Sequence, residues 1–393
     1  MSRVGGRVLV LAPRLGIGGG EQVLLDTLDC LSRPPWSVTL VTTIGGGSWE
    51  NRVPRGIRAF ALTRPGNPAA PQPLGWLAPR ILLSLPQLVR VASAHDLIMA
   101  AGEFGGPIYL GALLARFARR PLVASALGEI FSMTRLAGTW RARVHRLLLP
   151  AAYRSATAVL AISEGSKLDL VGRIPDIADR VTVVYAPVRI EEARASAAAP
   201  LPPSVPSGLF SLPVVLGWGR TEYRKGFDLL VRAHAQVISV GGPAHHLAIM
   251  GPPADEDVRL RRLARDLGVA GSVIFLGFQE NPFPIVKRSA IFAFPSRVEG
   301  LGVALVQAMA LGVPPVVSDC SGGPVEVVSG GACGVVVPCG STERLAEELK
   351  ILLERDEERA RIGQLAAARA ESFSRGSYMQ KIESVLGSAI GLA

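Results

Sequence analysis

Short apolar runs alternate with helical patterns along the whole chain, and this alternation limits the fold more than any other feature. Runs of strand length lie at 7–13, 37–43, 96–101, 121–126, 158–163 and 181–186, and again at 214–218, 247–251, 273–277, 291–295, 315–318 and 334–338. Strands separated by helix-length segments indicate βαβ units and parallel sheets. We therefore predict an α/β protein with two doubly wound, Rossmann-like domains.

The segment 191–213 separates the two series of strands. It is rich in Ala, Pro and Ser and lacks hydrophobic periodicity, which is typical of a linker. The predicted domains are 1–190, with 374–393 crossing back to it, and 214–373. A chain of 393 residues with 49% hydrophobic content can bury two cores. Two such domains facing across a cleft would place a binding site in that cleft.

An acid and an amide follow the strand predicted at 291–295. Glu299 lies just before a predicted helix, and Gln307 lies eight positions later inside it. Ligands of open parallel sheets bind at the carboxyl ends of the strands, and the N–H groups of residues 300–302 would form an anion site there. Glu299 and Gln307 could then hydrogen-bond hydroxyls on either side of a phosphate. The alternative is an ordinary strand–loop–helix unit with a solvated acid.

A second loop, after the strand predicted at 214–218, carries cations. Gly219 and Arg220 open this loop, and Lys225 lies just before a helix predicted at 227–238. Arg220 and Lys225 can converge on one anion. The alternative is that they are two separate, solvated loop cations, which would give the same sequence pattern.

Together the two loops resemble the family-4 glycosyltransferases, the retaining group with the GT-B fold. In that family a Gly-Arg pair followed by Lys-Gly binds the diphosphate of a nucleotide sugar, which corresponds to Arg220 and Lys225. The family's E-x7-E signature corresponds to Glu299 and Gln307, so the second acid is replaced by its amide. Further matches are Gly18-Gly19-Gly20-Glu21 for G-G-A-E, Val184-Tyr-Ala-Pro-Val188 for Y-N-P-V, and Ser318-Asp-Cys-Ser-Gly-Gly-Pro-Val-Glu326 for S-D-C-x-x-G-P-x-E.

The resemblance implies a metal-independent, cofactor-free, retaining transfer of a sugar from a nucleoside diphosphate to an acceptor hydroxyl. Arg220 and Lys225 would stabilise charge on the departing diphosphate, and Glu299 would orient the donor sugar. Without an evident nucleophile, the leaving phosphate would help to deprotonate the acceptor. The implied donor-binding residues are Gly18, Gly19, Gly20, Gly219, Gly300, Leu301, Gly302 and Gln307, with Gln307 on the ribose and the first three allowing close approach to the phosphates.

Two departures from the family pattern leave an alternative open. One is Gln307, and the other is the absence of a histidine after the strand predicted at 121–126, where residues 124–129 read Ala-Ser-Ala-Leu-Gly-Glu. The chain could therefore be a catalytically impaired, nucleotide-sugar-binding partner of an active transferase. An epimerase or an inverting GT-B enzyme is disfavoured, because Arg220, Lys225 and Glu299 form the retaining group's set.

Other motifs fail on inspection. The glycines at 16–20 follow a strand, but the second strand ends without the acid that a dinucleotide ribose requires, and no phosphate-binding G-x4-G-K-[ST] occurs. Asp255-Glu-Asp257 precedes a helical pattern, which favours acids at a helix N-terminus over a metal-binding D-x-D. Paired spacings that indicate zinc or disulfides are absent, so reduced thiols are expected at Cys30, Cys320, Cys333 and Cys339.

The basic charge is concentrated in the first half. Residues 1–190 hold 22 Lys and Arg against 11 Asp and Glu. An apolar stripe beside three arginines is expected in a helix near residue 145, formed by Trp140, Val144, Leu147, Leu148 and Ala151 beside Arg141, Arg143 and Arg146. Such a helix could lie on an anionic membrane, or it could be a core helix with a solvated basic face. Nucleic acid is not expected as a partner, because no recognition motif for it occurs.

The sequence predicts a cytoplasmic protein, or one peripheral at the inner face of the plasma membrane. Uncharged apolar runs of about 18 residues are absent, and a strand begins too soon after Met1 to leave room for a signal peptide. The S-D-C-x-x-G-P-x-E variant is frequent in transferases of bacterial surface polysaccharide. The resemblance thus favours a UDP-sugar donor and a saccharide or lipid-linked acceptor.

Overall fold

The computed structural model describes residues 5–16, 18–63, 77–102, 106–137, 139–320 and 322–391, without the side chains of 77–82, 133, 135–137 and 141. These residues form two compact units. One unit ends at Pro187 and resumes at Arg375, and the other runs from Val188 to Ser374. Each unit is an α/β layer structure around a parallel sheet.

The first unit contains a seven-stranded sheet in the order β3-β2-β1-β4-β5-β6-β7, with every neighbouring pair parallel. All six strands predicted here are present, some of them shorter than expected, and β3 is an addition. Because β3 is an edge strand whose side chains are mostly exposed, it has no apolar run to reveal it. The strands are β1 (Arg7–Ala12), β2 (Ser37–Thr42), β3 (Arg58–Ala61), β4 (Leu97–Ala101), β5 (Leu122–Ala126), β6 (Ala158–Ala161) and β7 (Val181–Val183).

The second unit contains a six-stranded parallel sheet in the order β10-β9-β8-β11-β12-β13. All six strands predicted here are present. Their residues are mostly buried because helices cover both faces of such a sheet. The strands are β8 (Val214–Trp218), β9 (His246–Met250), β10 (Val273–Gly277), β11 (Ile291–Phe294), β12 (Pro315–Ser318) and β13 (Val335–Val337).

The helices of the first unit are α1 (Gly19–Leu31), α2 (Leu77–Ser93), α3 (Pro107–Ala118), α4 (Ile130–Ala137), α5 (Trp140–Arg154), α6 (Glu164–Arg173) and α15 (Arg375–Gly391). Those of the second unit are α7 (Ile190–Ser196), α8 (Phe227–Ser239), α9 (Asp257–Asp266), α10 (Phe283–Arg288), α11 (Val303–Ala310), α12 (Gly323–Val327), α13 (Thr342–Glu354) and α14 (Asp356–Ala370). Within the described part of the chain, every helix falls short of the length and apolarity that a bilayer crossing requires.

Helix α15 packs against the sheet of the first unit. Tyr378, Ile382, Leu386 and Ala389 are buried there at helical spacing, and the Tyr378 hydroxyl lies 3.0 Å from the hydroxyl of Thr27. The last segment of the chain therefore completes the core of the first unit.

The segment 191–213 differs from the predicted linker. It begins inside α7, and its residues belong to the second unit. The Arg194 guanidinium donates to the carbonyl oxygen of Ala310 at 3.1 Å and forms an ion pair with Glu371 at 2.6 Å. A helix of seven residues shows too little periodicity to stand out in an Ala-, Pro- and Ser-rich segment.

Both sheets reverse their strand order at one point, between β1 and β4 in the first unit and between β8 and β11 in the second. At such a point the loops leaving the two strands diverge to opposite sides and leave a crevice at the carboxyl edge of the sheet. In the second unit, the loops that leave β8 and β11 are the two that carry the predicted site residues.

Candidate functional site

The loops after β8 and β11 approach each other closely at Gly226. This residue has a left-handed backbone with φ of +68°, and a Cβ atom built on it would lie 2.0 Å from the carbonyl oxygen of Pro295. Only glycine is compatible with both conditions. The Lys-Gly pair therefore brings the cations of the first loop against the second.

Arg297 locks the two loops together. Its guanidinium donates to both carboxylate oxygens of Asp228, each at 2.8 Å, and to the carbonyl oxygen of Tyr223 at 2.8 Å. It also stacks over the Tyr223 ring, 4.0 Å from the centroid. Bidentate pairing gives a fixed geometry as well as energy. The sequence offered no local signal for this clamp, because Arg297 lies 74 residues after Tyr223 and 69 residues after Asp228.

Within this frame, Lys225 and Glu299 form an ion pair between Nζ and Oε2. Each side chain is only 12% exposed. The Lys225 ammonium also lies 5.0 Å from the centroid of the Phe294 ring, and the backbone N–H of Gly300 donates to Glu299 Oε1 at 3.3 Å. Two residues that the sequence analysis named separately, Lys225 and Glu299, thus lie together in the crevice beyond β11.

Arg224 is a further cation at Glu299 that sequence reasoning did not single out. Its Nη1 lies 3.6 Å from Glu299 Oε1, and its Nε lies 2.7 Å from Glu222. Glu222 also pairs with the Nε atom of Arg220 at 3.0 Å. The loop after β8 therefore carries three cations and one bridging acid. The only sequence signal for Arg224 was its place next to Lys225. That signal is weak, because side chains of neighbouring residues usually point in different directions, so a shared contact with Glu299 could not be expected.

The charges of this cluster depend on one another. Burial by itself would raise the pKa of Glu299, but Lys225 and Arg224 outweigh it and hold that pKa below its usual value. Burial lowers the pKa of Lys225, which Glu299 only partly opposes. Burial also acts against the Arg224 charge, while Glu299 and Glu222 together raise its pKa. A carboxylate is thus kept ionised in a nearly dry place beside cations.

The other predicted donor-binding residues of the second unit lie around this cluster. Gly219 directly follows β8, and a Cβ atom there would meet the Lys225 side chain at 3.2 Å. Gly302 precedes α11 with φ of +88°, and Leu301 is buried. Gln307 lies inside α11, as expected, and is half-buried.

In the first unit, Gly18 precedes α1, which begins at Gly19. Cβ atoms built on Gly19 and Gly20 would meet nothing within 4 Å, so the start of this helix is open. The family's histidine is absent after β5. The chain continues there through Leu127 and Gly128 to Glu129, whose side chain is buried.

Asp255-Glu-Asp257 lies at the beginning of α9, as predicted. Glu256 pairs with Arg259 at 2.8 Å, and Asp257 pairs with Arg261 at 2.9 Å. Among the described residues, His, Cys, Asp and Glu do not gather in groups of three or more that could hold a metal ion. All four cysteines are free: Cys320 and Cys333 are buried, Cys30 is half-buried and Cys339 is exposed.

Two family models match this chain. The model described as Glycosyltransferase Family 4 matches residues 17–192, and the model described as Glycosyl transferases group 1 matches residues 211–369. Together they account for most of the chain.

Two relatives illustrate the sequence similarity. The lipopolysaccharide core biosynthesis glycosyltransferase LpsE of Rhizobium meliloti is 34% identical over 152 residues, which is 39% of this chain and 43% of LpsE. An N-acetylgalactosaminyltransferase of Campylobacter jejuni that acts on a diphospho-undecaprenol substrate is 25% identical over 232 residues, which is 59% of this chain and 60% of the relative. The chain thus matches about half the length of these relatives.

A solved structure extends the comparison to the whole fold. Anabaena HepE in complex with UDP-glucose superposes with a TM-score of 0.77 over 98% of this chain and 100% of HepE, at 24% identity. The GT-B fold is therefore shared over nearly the full length. With both family models in chain order and the fold in common, the chain belongs to the family-4 glycosyltransferases of the GT-B class.

Proposed function

We propose that the protein is a retaining glycosyltransferase that moves a sugar from a nucleoside diphosphate to an acceptor hydroxyl. The observation that carries this proposal is the Lys225–Glu299 pair between the two loops at the point where the second sheet reverses its order. A nucleotide sugar presents an anion and a set of hydroxyls, and this site presents cations beside an acceptor of hydroxyl hydrogen bonds.

Each residue then has a distinct task. Lys225 and Arg220 stabilise the negative charge that develops on the departing diphosphate, and Glu299 accepts hydrogen bonds from the donor sugar. Gln307 binds the ribose. The backbone N–H groups of Leu301 and Gly302 bind phosphate, while that of Gly300 donates to Glu299. Gly18, Gly19 and Gly20 contact the donor through backbone atoms. As the family resemblance implies, the leaving phosphate takes the proton of the acceptor hydroxyl.

We further propose a UDP-sugar donor and a lipid-linked or saccharide acceptor of bacterial surface polysaccharide synthesis. HepE has been crystallised with UDP and with UDP-glucose, and the names of the two relatives refer to lipopolysaccharide core and to diphospho-undecaprenol. A lipid-linked acceptor would bring the protein to the inner face of the plasma membrane.

Metal independence is also part of the proposal. Arg220, Arg224 and Lys225 supply positive charge where a metal ion would otherwise neutralise the diphosphate. Donor turnover should therefore be unchanged by EDTA. Loss of turnover on chelation, with recovery on adding Mg²⁺ or Mn²⁺, would contradict this part of the proposal. Asp255-Glu-Asp257 would then be the candidate metal-binding segment.

The alternative is a catalytically impaired subunit that binds a nucleotide sugar for an active partner. Two observations favour it: Gln307 replaces the family's second acid, and residues 124–129, at the end of β5 and after it, contain no histidine. An active transferase and an impaired subunit would both bind the donor, so a binding measurement alone does not distinguish the two hypotheses.

Donor turnover does separate them. The full chain should be incubated with UDP-, GDP- and ADP-sugars chosen by thermal shift, because a ligand at 100 times its dissociation constant adds about 2.7 kcal/mol of stability. An enzyme slowly releases free nucleotide from the preferred donor, and the anomeric configuration of a transferred sugar tests retention by NMR. Binding without any turnover would support the impaired subunit.

A further inference from the structure

Helix α5 of the first unit has two apolar faces. One face carries Ala142, Leu149, Ala152 and Tyr153, which are buried in the unit. The other carries Trp140, Val144, Leu147 and Leu148, all exposed, with Leu147 at 73%. A helix that only covers a sheet needs a single apolar face, so the second one remains to be explained.

The exposed residues follow helical spacing. Positions 140, 144, 147 and 148 repeat at the intervals of one helix face, and the exposed Ala151 continues it. Arg143 lies exposed beside this face and Arg146 is half-buried, while the side chain of Arg141 is outside the described residues. The stripe predicted from the sequence therefore points outward, and other residues of α5 form the face that is buried in the unit.

The neighbouring helix α3 has the same character. The Tyr109 hydroxyl lies 2.8 Å from His145 Nδ1, which joins α3 to α5. Helix α3 exposes Leu113 and Phe117, and Arg116 is exposed beside them. Two adjacent helices thus present large apolar side chains next to arginines.

We propose that this surface, formed by Leu113 and Phe117 of α3 with Trp140, Val144, Leu147 and Leu148 of α5, docks on an anionic phospholipid bilayer. Apolar side chains enter the region between head groups and acyl chains, while arginines contact the anionic head groups. The excess of basic residues in 1–190 complements such a surface. A nucleic acid would match the arginines but would offer no apolar partner for the leucines.

The test is co-sedimentation of the full chain with vesicles. Binding is expected to vesicles of phosphatidylcholine and phosphatidylglycerol in equal parts, with little binding to phosphatidylcholine alone and weaker binding in high salt. Leu147→Ser and Leu148→Ser should each weaken binding by about tenfold, because each removes a buried apolar side chain from the lipid. Arg143→Gln should weaken binding to anionic vesicles only.

Leu168→Ser is the matched control. Leu168 lies on α6 of the same unit and is 70% exposed, so it differs from Leu147 in position but not in type or exposure. Equal loss of binding in Leu168→Ser would overturn the assignment to α5. Absence of vesicle binding would also overturn the proposal. Binding of single-stranded DNA, or self-association through Leu147, would not rescue it in that case. A transferase assay on a soluble acceptor tests the proposed function separately.

Arg224 supports a second inference, which rests on the proposed function. Lys225 and Arg224 hold the two oxygens of Glu299, and Glu222 lies behind Arg224. A bound diphosphate would draw the Lys225 ammonium away from Glu299. We infer that Arg224 is a positioning residue that keeps the Glu299 carboxylate in place when Lys225 engages the donor.

Arg224→Gln and Arg224→Lys test this role. Lys225 and Arg224 are the cations that face Glu299 and oppose the effect of burial on its pKa. Removing the Arg224 charge should therefore raise the pKa of Glu299. The acid limb of the kcat/KM profile should then move to higher pH in Arg224→Gln. Arg224→Lys should restore the profile in part. An unchanged profile, or a raised KM alone, would overturn the inference. An inactive wild-type chain would instead count against the proposed function.

Discussion

Lys225 and Glu299 meet across two loops although they lie 74 residues apart in the chain. Their pairing depends on the adjacency of β8 and β11 and on the close approach at Gly226. A buried pair of this kind leaves a costly unpaired charge when one member is removed. Substitutions in this cluster therefore affect both chemistry and folding, and the two effects have to be measured separately.

Lys225→Ala and Arg220→Ala should each lower kcat by about 100-fold or more, because each removes charge stabilisation of the leaving diphosphate. Lys225→Ala should also lower the free energy of unfolding, since it leaves Glu299 buried with only Arg224 beside it. Arg220→Ala should have little effect on folding, because its side chain is 47% exposed. Steady-state kinetics and urea unfolding measure the two effects. The exposed Arg232 on α8 provides a control substitution to Ala, and near-normal turnover in both site variants would contradict the assignment.

Gln307→Glu should tighten nucleoside diphosphate binding several-fold without changing the preferred sugar. A carboxylate accepts stronger hydrogen bonds from a ribose diol than an amide does, and one such bond is worth about 1 kcal/mol more. Calorimetry on both proteins measures the difference. Weaker binding by Gln307→Glu would mean that the half-buried surroundings of this position are adapted to the amide.

Gly226→Ala should destabilise the second unit more than Gly241→Ala does. Both glycines have φ of +68°, so both variants carry the same left-handed strain of about 1–2 kcal/mol. Only at Gly226 would the new Cβ meet a backbone atom, the Pro295 oxygen at 2.0 Å, whereas nothing lies within 4 Å at Gly241. Urea unfolding of both variants isolates the close approach of the two loops, and equal destabilisation would argue against it.

A buried pair of histidines should make the second unit sensitive to acid. The His245 Nδ1–H donates to the Pro243 oxygen at 2.8 Å, so its Nε2 accepts from His234 Nδ1–H at 2.8 Å, and His234 Nε2 accepts from the Ser272 hydroxyl at 2.8 Å. Burial lowers the pKa of His234 to about 3, and that of His245 is lowered for the same reason.

The unfolded chain therefore binds more protons than the folded chain between about pH 6.5 and pH 3. The stabilisation is complete above the unfolded pKa and is lost as the pH falls through this window, by up to about 1.4 kcal/mol per pH unit for each group. Urea unfolding at about pH 7, above that window, and at about pH 4, inside it, should show a smaller loss of unfolding free energy in His234→Gln than in the wild type. Identical slopes would mean that the pair does not titrate as proposed.

The sequence determined the elements that depend on local pattern. Twelve strands were visible as apolar runs, because a strand covered by helices on both sides must be apolar throughout. Lys225 and Glu299 could be named because they lie in loops that follow buried strands and are marked by turn glycines, and Gln307 because it lies eight positions after Glu299 inside the next helix. The missed β3 shows the limit, since an edge strand with exposed side chains leaves no apolar record.

Only the tertiary structure decided which of these residues meet. The Arg297–Asp228 clamp, the contact of Arg224 with Glu299, and the bridging role of Glu222 require the loops after β8 and β11 to lie side by side. Strand order sets that adjacency, and it arises from the packing of the whole unit rather than from any local pattern. Exposure is decided in the same way: the stripe on α5 was legible in the sequence, but only packing against the first unit showed which of its two apolar faces remains outside.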